Sequence, residues 1–284
     1  MKLYLQLSKE YGLNAVELRF EKERGRPSIW SWDISGQIAG KISNFLQNFE
    51  FSGAHLPFIY LNPICPNPHI REGSIKQLKN GIEKASQLGM NYVVMHARGR
   101  IHGSAHEQEL LEWTTVIGEL TQYAQEQNIC LALENAESLS DLEEVVTIVR
   151  RIDSPNLKIM LDVGHAYVRR VPPLSSYPVK EAMLKLLDRT FMPFIIKKYM
   201  PFEKYGSLVN FIKREHDLIF GLHIHDNNGR KDHLTIGKGK VDFSFLPTLK
   251  NEGFRGILIL EMGFGSHYSD FRLNFQRLQE LIGG

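Results

Sequence analysis

Six apolar runs in this chain each end in a histidine, an aspartate or a glutamate. They are "SGAH" closing on His55, "YVVMH" on His96, "LALE" on Glu134, "IMLD" on Asp162, "FGLH" on His223 and "ILILE" on Glu261. Short continuous apolar runs suit strands buried on both faces, as in a parallel sheet covered by helices. A charged or imidazole group on the last residue of such a strand is costly in a core. The cost is tolerable where several strand ends converge on one ion. Histidines together with carboxylates suit a divalent transition metal such as Zn2+ or Mn2+.

The runs alternate with helical patterns almost throughout the 284 residues. Strands are expected at 15–20, 51–56, 91–96, 129–134, 157–162, 219–224 and 256–261. Helices are expected at 1–12, 36–49, 73–88, 107–127, 141–151, 243–251 and 268–282. Strand–helix alternation of this length argues for one α/β domain over 1–284, a closed parallel (β/α)8-type barrel. Such a barrel opens on a strand, whereas Met1 to Gly12 reads as the helix that should follow it, with Gly12 as its C-cap. The first strand is therefore expected to be absent, which leaves two barrel edges unpaired.

The stretch 167–217 is too long for a simple connection. It carries Pro172, Pro173 and Pro178, two helical patterns and a cluster of aromatic residues. It follows a strand that ends in a candidate ligand, so a helical insertion is expected there, as a lid or as an ornament on the rim. No apolar stretch reaches the ~18 residues of a membrane span, and the N-terminus lacks a signal-peptide pattern. Two cysteines, Cys65 and Cys130, make no disulfide framework. The expectation is a cytoplasmic protein with Cys130 as a small core residue. A net charge of +2 gives no strong field, so nucleic acid is not a favoured partner, though a local basic groove remains compatible with it.

Glu134, Asp162, His223 and Glu261 come from four separate strands. In parallel barrels the C-terminal strand ends converge on one face, where active sites sit. One histidine with three carboxylates suits Mn2+, Co2+, Zn2+ or Mg2+. Taken singly, each would more often be structural; it is the recurrence at equivalent positions that points to a site. His165 can face the same pocket if the chain turns sharply after Asp162. His55 and His96 are candidates for further ligands or for substrate hydrogen bonding. His223 and His225 share a strand face; His223 is chosen as the ligand and His225 is placed outside it. Asp232 and His233 lie in a loop able to fold over the metal. Arg230, Lys231 and Lys238 are candidates for contacts to sugar or phosphate oxygens, and Trp30, Trp32 and Trp113 for stacking, although a core role is the commoner one.

The segments "AHLPF", "VVMHARG", "LALENAE", "MLDVGHAY", "HIHDNNGRKDHLTIGKG" and "LILEM" resemble the xylose isomerase-like TIM-barrel superfamily, which holds sugar isomerases and epimerases and endonuclease IV. In the sugar branch the resemblance implies one divalent metal on Glu134, Asp162, His223 and Glu261, with both glutamates acting on substrate protons and His165 touching substrate. His55, His96 and Arg230 then join the substrate site. In the endonuclease branch it implies three zinc ions on nine ligands. His55, His96, Glu134, Asp162, His165, His223, His233 and Glu261 match eight; Lys231 stands where the ninth, an aspartate, should be, and the adjacent Asp232 could fill that place by a one-residue shift.

The leading expectation is a divalent-metal-dependent isomerase or epimerase of a sugar, polyol or sugar phosphate, working by proton transfer through a metal-stabilised enediolate. The alternatives are an endonuclease IV-like phosphodiesterase at abasic DNA sites and a non-catalytic barrel subunit. A homo-oligomer is compatible with all three.

Overall fold

The computed structural model describes residues 1–22, 29–97, 101, 104–136, 142–166, 207–228, 231–263 and 268–283. Strands β1 (Ala15–Arg19), β2 (Phe51–His55), β3 (Tyr92–His96), β4 (Cys130–Glu134), β5 (Leu157–Asp162), β6 (Ile219–Ile224) and β7 (Ile257–Leu260) form one parallel sheet in chain order. The sheet curls into a nearly closed barrel, and β7 approaches β1 without ladder pairing to it among the described residues. Helices alternate with the strands: α1 (Lys2–Tyr11), α2 (Gly36–Leu46), α3 (Pro68–Gln87), α4 (His106–Glu126), α5 (Leu142–Ile152), a single turn α6 (Val163–Ala166), α7 (Leu208–Glu215), α8 (Leu246–Asn251) and α9 (Tyr268–Gly283).

The opening residues are helical, as expected, and the seven strands of the sheet follow that helix. Helix α1 ends at Gly12, whose φ of 66° supplies the left-handed C-cap. It docks on α9: Tyr11 stacks on Phe275 at 5.3 Å and Tyr4 meets Phe271 edge-on at 6.3 Å. Helix α3 starts five residues before the expected 73. Asn67 accepts from the His69 N–H at 3.1 Å and Pro68 occupies the first turn, so a cap and a proline set the start ahead of the apolar pattern. Residues 167–206 of the expected insertion lie outside the described residues. Its end is α7, which packs Leu208, Phe211 and Ile212 into the core.

The alternation along each strand sorts the core into two parts. Val93, Met95, Leu131, Leu133, Ile159 and Leu161 face the helices. Tyr92, Val94, Ala132, Met160, Ile257 and Ile259 fill the barrel interior. Two residues on from Val94, Ala132, Met160 and Ile259, on the same inward face, stand His96, Glu134, Asp162 and Glu261. Gly53 is the interior residue beneath His55, and a Cβ there would strike the Tyr92 ring. Glycine is needed at that place so that the tyrosine can plug the barrel below the site.

Cys130 is only partly buried, against the interior cluster rather than inside the core, and burial raises its thiol to about 11. Cys65 and Cys130 are both free. Trp113 is a core residue of α4, and Trp30 and Trp32 stack on each other at 4.7 Å. No helix of the described residues is long and apolar enough to cross a membrane.

Candidate metal centre

The C-terminal strand ends open into a cavity of about 820 Å³ lined by Glu17, Arg19, His55, His96, His165, Asp232, His233 and Glu261, among others. Glu134, Asp162 and His223 sit at its base with no solvent exposure. One ligand atom from each of Glu134, Asp162, His223 and Glu261 lies within 4.8 Å of the others. The His223 Nδ1 is 3.4 Å from Glu134 Oε2 and 3.3 Å from Glu261 Oε1.

Two further groups adjoin the first. His55 Nε2 and His96 Nε2 face each other at 3.0 Å and lie 3.2 Å and 2.9 Å from Glu134 Oε2. The His55 Nδ1 lies 3.0 Å from the Leu56 carbonyl; a proton on Nδ1 bonds that carbonyl and turns the Nε2 lone pair toward the cluster. His165, His225 and His233 form the third group. His165 reaches it because the chain turns straight from β5 into α6, with the His165 N–H bonded to Asp162 Oδ1 at 2.6 Å. Glu134 belongs to the first two groups, and Asp162 touches the third through His225 Nε2 at 2.9 Å.

The placement of His225 differs from expectation. It is buried inside the site, not outside His223, because the chain leaving β6 keeps the strand's two-residue alternation for one more step. Asp232 approaches His165 Nε2 at 3.2 Å and His225 Nδ1 at 3.0 Å, so an acid one position after Lys231 borders the third group. His233 Nε2 is 3.1 Å from Glu261 Oε2. Lys231 and Lys238 line the cavity, and Arg230 lies outside the described residues.

Several participants escaped sequence reasoning. Glu17, the inward residue of β1, places Oε2 3.2 Å from His223 Nε2. Its signal is an acid alternating with Val16 and Leu18 in a strand. Asn135, directly after Glu134, exchanges two hydrogen bonds with the Asp162 backbone. Asp226 accepts from the N–H groups of Asn227, Gly237, Gly239 and Val241 and so folds the loop that carries Asp232 and His233. Gly239 admits this fold, since a Cβ there would collide with Asp226. Glu21 is buried and accepts from Phe58 N, Ile59 N and Arg19.

The electrostatics show what this assembly demands. Burial alone would raise the Glu134 and Glu261 pKa values, but the surrounding histidines, His96 and His223 at Glu134 and His223 and His233 at Glu261, hold both well below the usual carboxylate range. Burial would lower His223, yet the charges of Glu261, Glu17 and Glu134 raise it well above its ordinary value. Asp162 does the same for His165, and it brings His225 to about 10 against the same burial penalty. His96, where burial dominates, is lowered. Concentrated, mostly buried carboxylate charge thus calls for cations, whether protons on imidazole or a metal.

The residues fit a divalent ion. Glu134 Oε1, His165 Nδ1 and His223 Nδ1 are buried and have no hydrogen-bond partner. They nonetheless lie 3.3–3.4 Å from oppositely charged groups of the same cluster. Buried polar atoms are nearly always bonded; here lone pairs gather around common points without bonding geometry between them. Imidazole and carboxylate donors suit Zn2+, Mn2+ or Co2+.

The model of the xylose isomerase-like TIM barrel family matches residues 5–276. The chain belongs to this family. Among curated relatives of this xylose isomerase-like barrel is the uncharacterized protein MJ1311 of Methanocaldococcus jannaschii, 28% identical over 73% of this chain. The match spans 62% of that relative's length. The uncharacterized MJ1188 of the same organism is 27% identical over 83% of this chain and 75% of its own. Among solved structures, a D-tagatose 3-epimerase-like protein superposes with a TM-score of 0.68 at 22% identity, covering 98% of this chain and 93% of the other. The IolI protein with a bound zinc atom gives 0.68 at 17% identity, over 100% and 93%. The 3-keto-D-glucoside 4-epimerase YcjR of E. coli gives 0.67 at 14%, over 97% and 92%. At these identities the likeness is one of fold.

Proposed function

We propose that residues 1–284 form one catalytic domain, a divalent-metal-dependent isomerase or epimerase of a sugar, polyol or sugar phosphate. The observation that carries this reading is the group of Glu134, Asp162, His223 and Glu261, donated by β4, β5, β6 and the end of β7 and gathered at the base of an open cavity. Support also comes from fold neighbours named as sugar epimerases and from one named with bound zinc.

Glu134, Asp162, His223 and Glu261 would hold a divalent ion, which when bound would supply Lewis-acid polarisation of the substrate. The chain's own residues do the rest. Glu134 and Glu261 are held as carboxylates, so either can take the proton from the carbon beside a carbonyl. That glutamate releases its proton to solvent in the open cavity, and the other, protonated from the same solvent, delivers one to the opposite face or to the neighbouring carbon. His165, at the cavity wall, donates a hydrogen bond to a substrate hydroxyl, and His55 and His96 border the same space. Lys231 and Lys238 meet the outer end of the substrate.

A specific observation favours a second reading. The two added groups, His55/His96/Glu134 and His165/His225/His233 with Asp232, offer places for two more ions. If these groups held two more ions, the three together would supply Lewis-acid stabilisation of the kind a phosphodiesterase acting on abasic DNA uses.

Elemental analysis of the purified protein, followed by a screen of ketoses for proton exchange in deuterated water, tests the proposal. One ion per chain with exchange into a ketose is the expected result. Three ions per chain with cleavage of an abasic duplex replaces it by the second reading. A metal-free chain without exchange overturns both in favour of a non-catalytic subunit.

A further inference from the structure

His223 has two ring nitrogens with different neighbours. Nδ1 faces Glu134 Oε2 and Glu261 Oε1 at 3.4 Å and 3.3 Å and has no hydrogen bond. Nε2 meets Glu17 Oε2 at 3.2 Å. Glu17 lies on β1 and His223 on β6, so the contact reaches across the seam where β7 and β1 lack ladder pairing among the described residues. The His223 side chain has no exposure and that of Glu17 only 7%. The pair is largely buried at the edge of the cavity, and its geometry is set by the barrel wall.

An imidazole ligates through a nitrogen that carries no proton, so its proton must sit on the other nitrogen and be bonded there. A carboxylate is the strongest neutral-pH acceptor for that proton, and it adds electron density to the ligating atom. We infer that Glu17 is the positioning residue of the metal centre: it accepts the Nε2–H of His223 and thereby aims the Nδ1 lone pair at the point shared with Glu134, Asp162 and Glu261. Glu17 has a second consequence for the fold. Because β1 and β7 share no ladder among the described residues, the Glu17–His223 bond ties β1 to the metal-bearing wall, and loss of the tie lets β1 move away from the ligand it orients.

The inference rests on the metal-dependent reading above. It is tested with the full chain, stripped of metal by chelator, as Glu17→Gln and Glu17→Ala. Dissociation constants for Zn2+ are measured by competition with a chromophoric chelator, and the visible absorption of the Co2+-loaded protein is recorded. Loss of a partner that orients a metal-ligating histidine weakens binding about 10- to 100-fold. Glu17→Ala is expected near the upper end, with an altered Co2+ spectrum. Glu17→Gln keeps an acceptor without the charge and is expected near the lower end, with the spectrum largely restored. Affinities within twofold of the unaltered chain in both variants, with an unchanged spectrum, overturn the inference. If Glu17→Ala does not fold, the affinity of Glu17→Gln decides alone. An unaltered chain that binds no divalent ion would instead defeat the metal-dependent reading itself.

Discussion

Asn135 and Asp162 are joined by a closed pair of hydrogen bonds across β4 and β5. The Asn135 side-chain amide donates to the Asp162 carbonyl at 2.8 Å, and the Asp162 N–H donates to the Asn135 Oδ1 at 2.7 Å. Asn135 is fully buried. The pair fixes the strand end that delivers Asp162 to the cluster, at the point where the chain turns into α6. Asn135→Leu strands a buried N–H and a buried carbonyl, with a cost of about 1–3 kcal/mol. Urea denaturation should show that loss, together with weaker Zn2+ binding in chelator competition. Unchanged stability and affinity would mean that Asp162 is held by other contacts.

Glu261→Gln should leave the far-ultraviolet circular dichroism spectrum unchanged and lower turnover by at least about 100-fold, the low end of what a positioned acid or base contributes. The measurement is deuterium incorporation into whichever ketose the screen identifies. Retained exchange would remove Glu261 from the proton-transfer role.

Metal uptake should release protons. His223, His165 and His225 are raised above the ordinary 6.5 in the ion-free protein, so at neutral pH they hold protons that ligation displaces. Calorimetric titration with Zn2+ in buffers of different ionisation enthalpy should give heats that depend on the buffer, and affinity should rise with pH. Heats independent of buffer would count against imidazole ligation.

The stability of the ion-free protein should show a matching window. Raised histidines stabilise the fold fully below their unfolded value of 6.5, and the contribution is lost as pH climbs through the folded values, about 10 for His225. Glu134 and Glu261, depressed from 4.5, stabilise above that value, and the contribution is lost as pH falls through their folded values. Thermal melts of chelated protein should therefore be highest between those two unfolded values and fall on the alkaline side. Added Zn2+ should offset the alkaline loss. A melt that rises from neutral to alkaline pH without metal would contradict this account.

Gly164→Ala should disturb the site from below. A Cβ at residue 164 would strike the His225 ring, which is itself held by Asp162 and Asp232. Overpacking of this kind costs about 1–3 kcal/mol. A lower denaturation midpoint with impaired metal binding is expected, while a variant identical to the parent in both would show that the ring can step aside.

Legibility in the sequence followed the range of the signal. The apolar runs and their terminal His, Asp or Glu marked β2 to β7 and the inward residues of the strand ends, because strand periodicity is local. The helical reading of Met1 to Gly12 was equally local, and α1 occupies Lys2–Tyr11. The start of α3 departs from the apolar pattern, which begins near residue 73, because the cap at Asn67 and Pro68 sets the boundary. Glu17 was passed over because a single acid in a short strand looks like a surface residue until the barrel curls β1 past β7 to face β6.

The sequence by itself determined the parallel barrel, the opening helix and the acids and imidazoles that point inward, since each depends on spacing between neighbours in the chain. Only the tertiary structure decided which of them share an atom's-width of space. It set His225 inside the cluster, brought Asp232 against His165 and His225, and brought Glu17 to the far nitrogen of His223. Those relations depend on strand stagger, loop closure around Asp226 and the curvature of the sheet, which bring together groups as many as 206 residues apart in the chain, and no local pattern encodes such a distance.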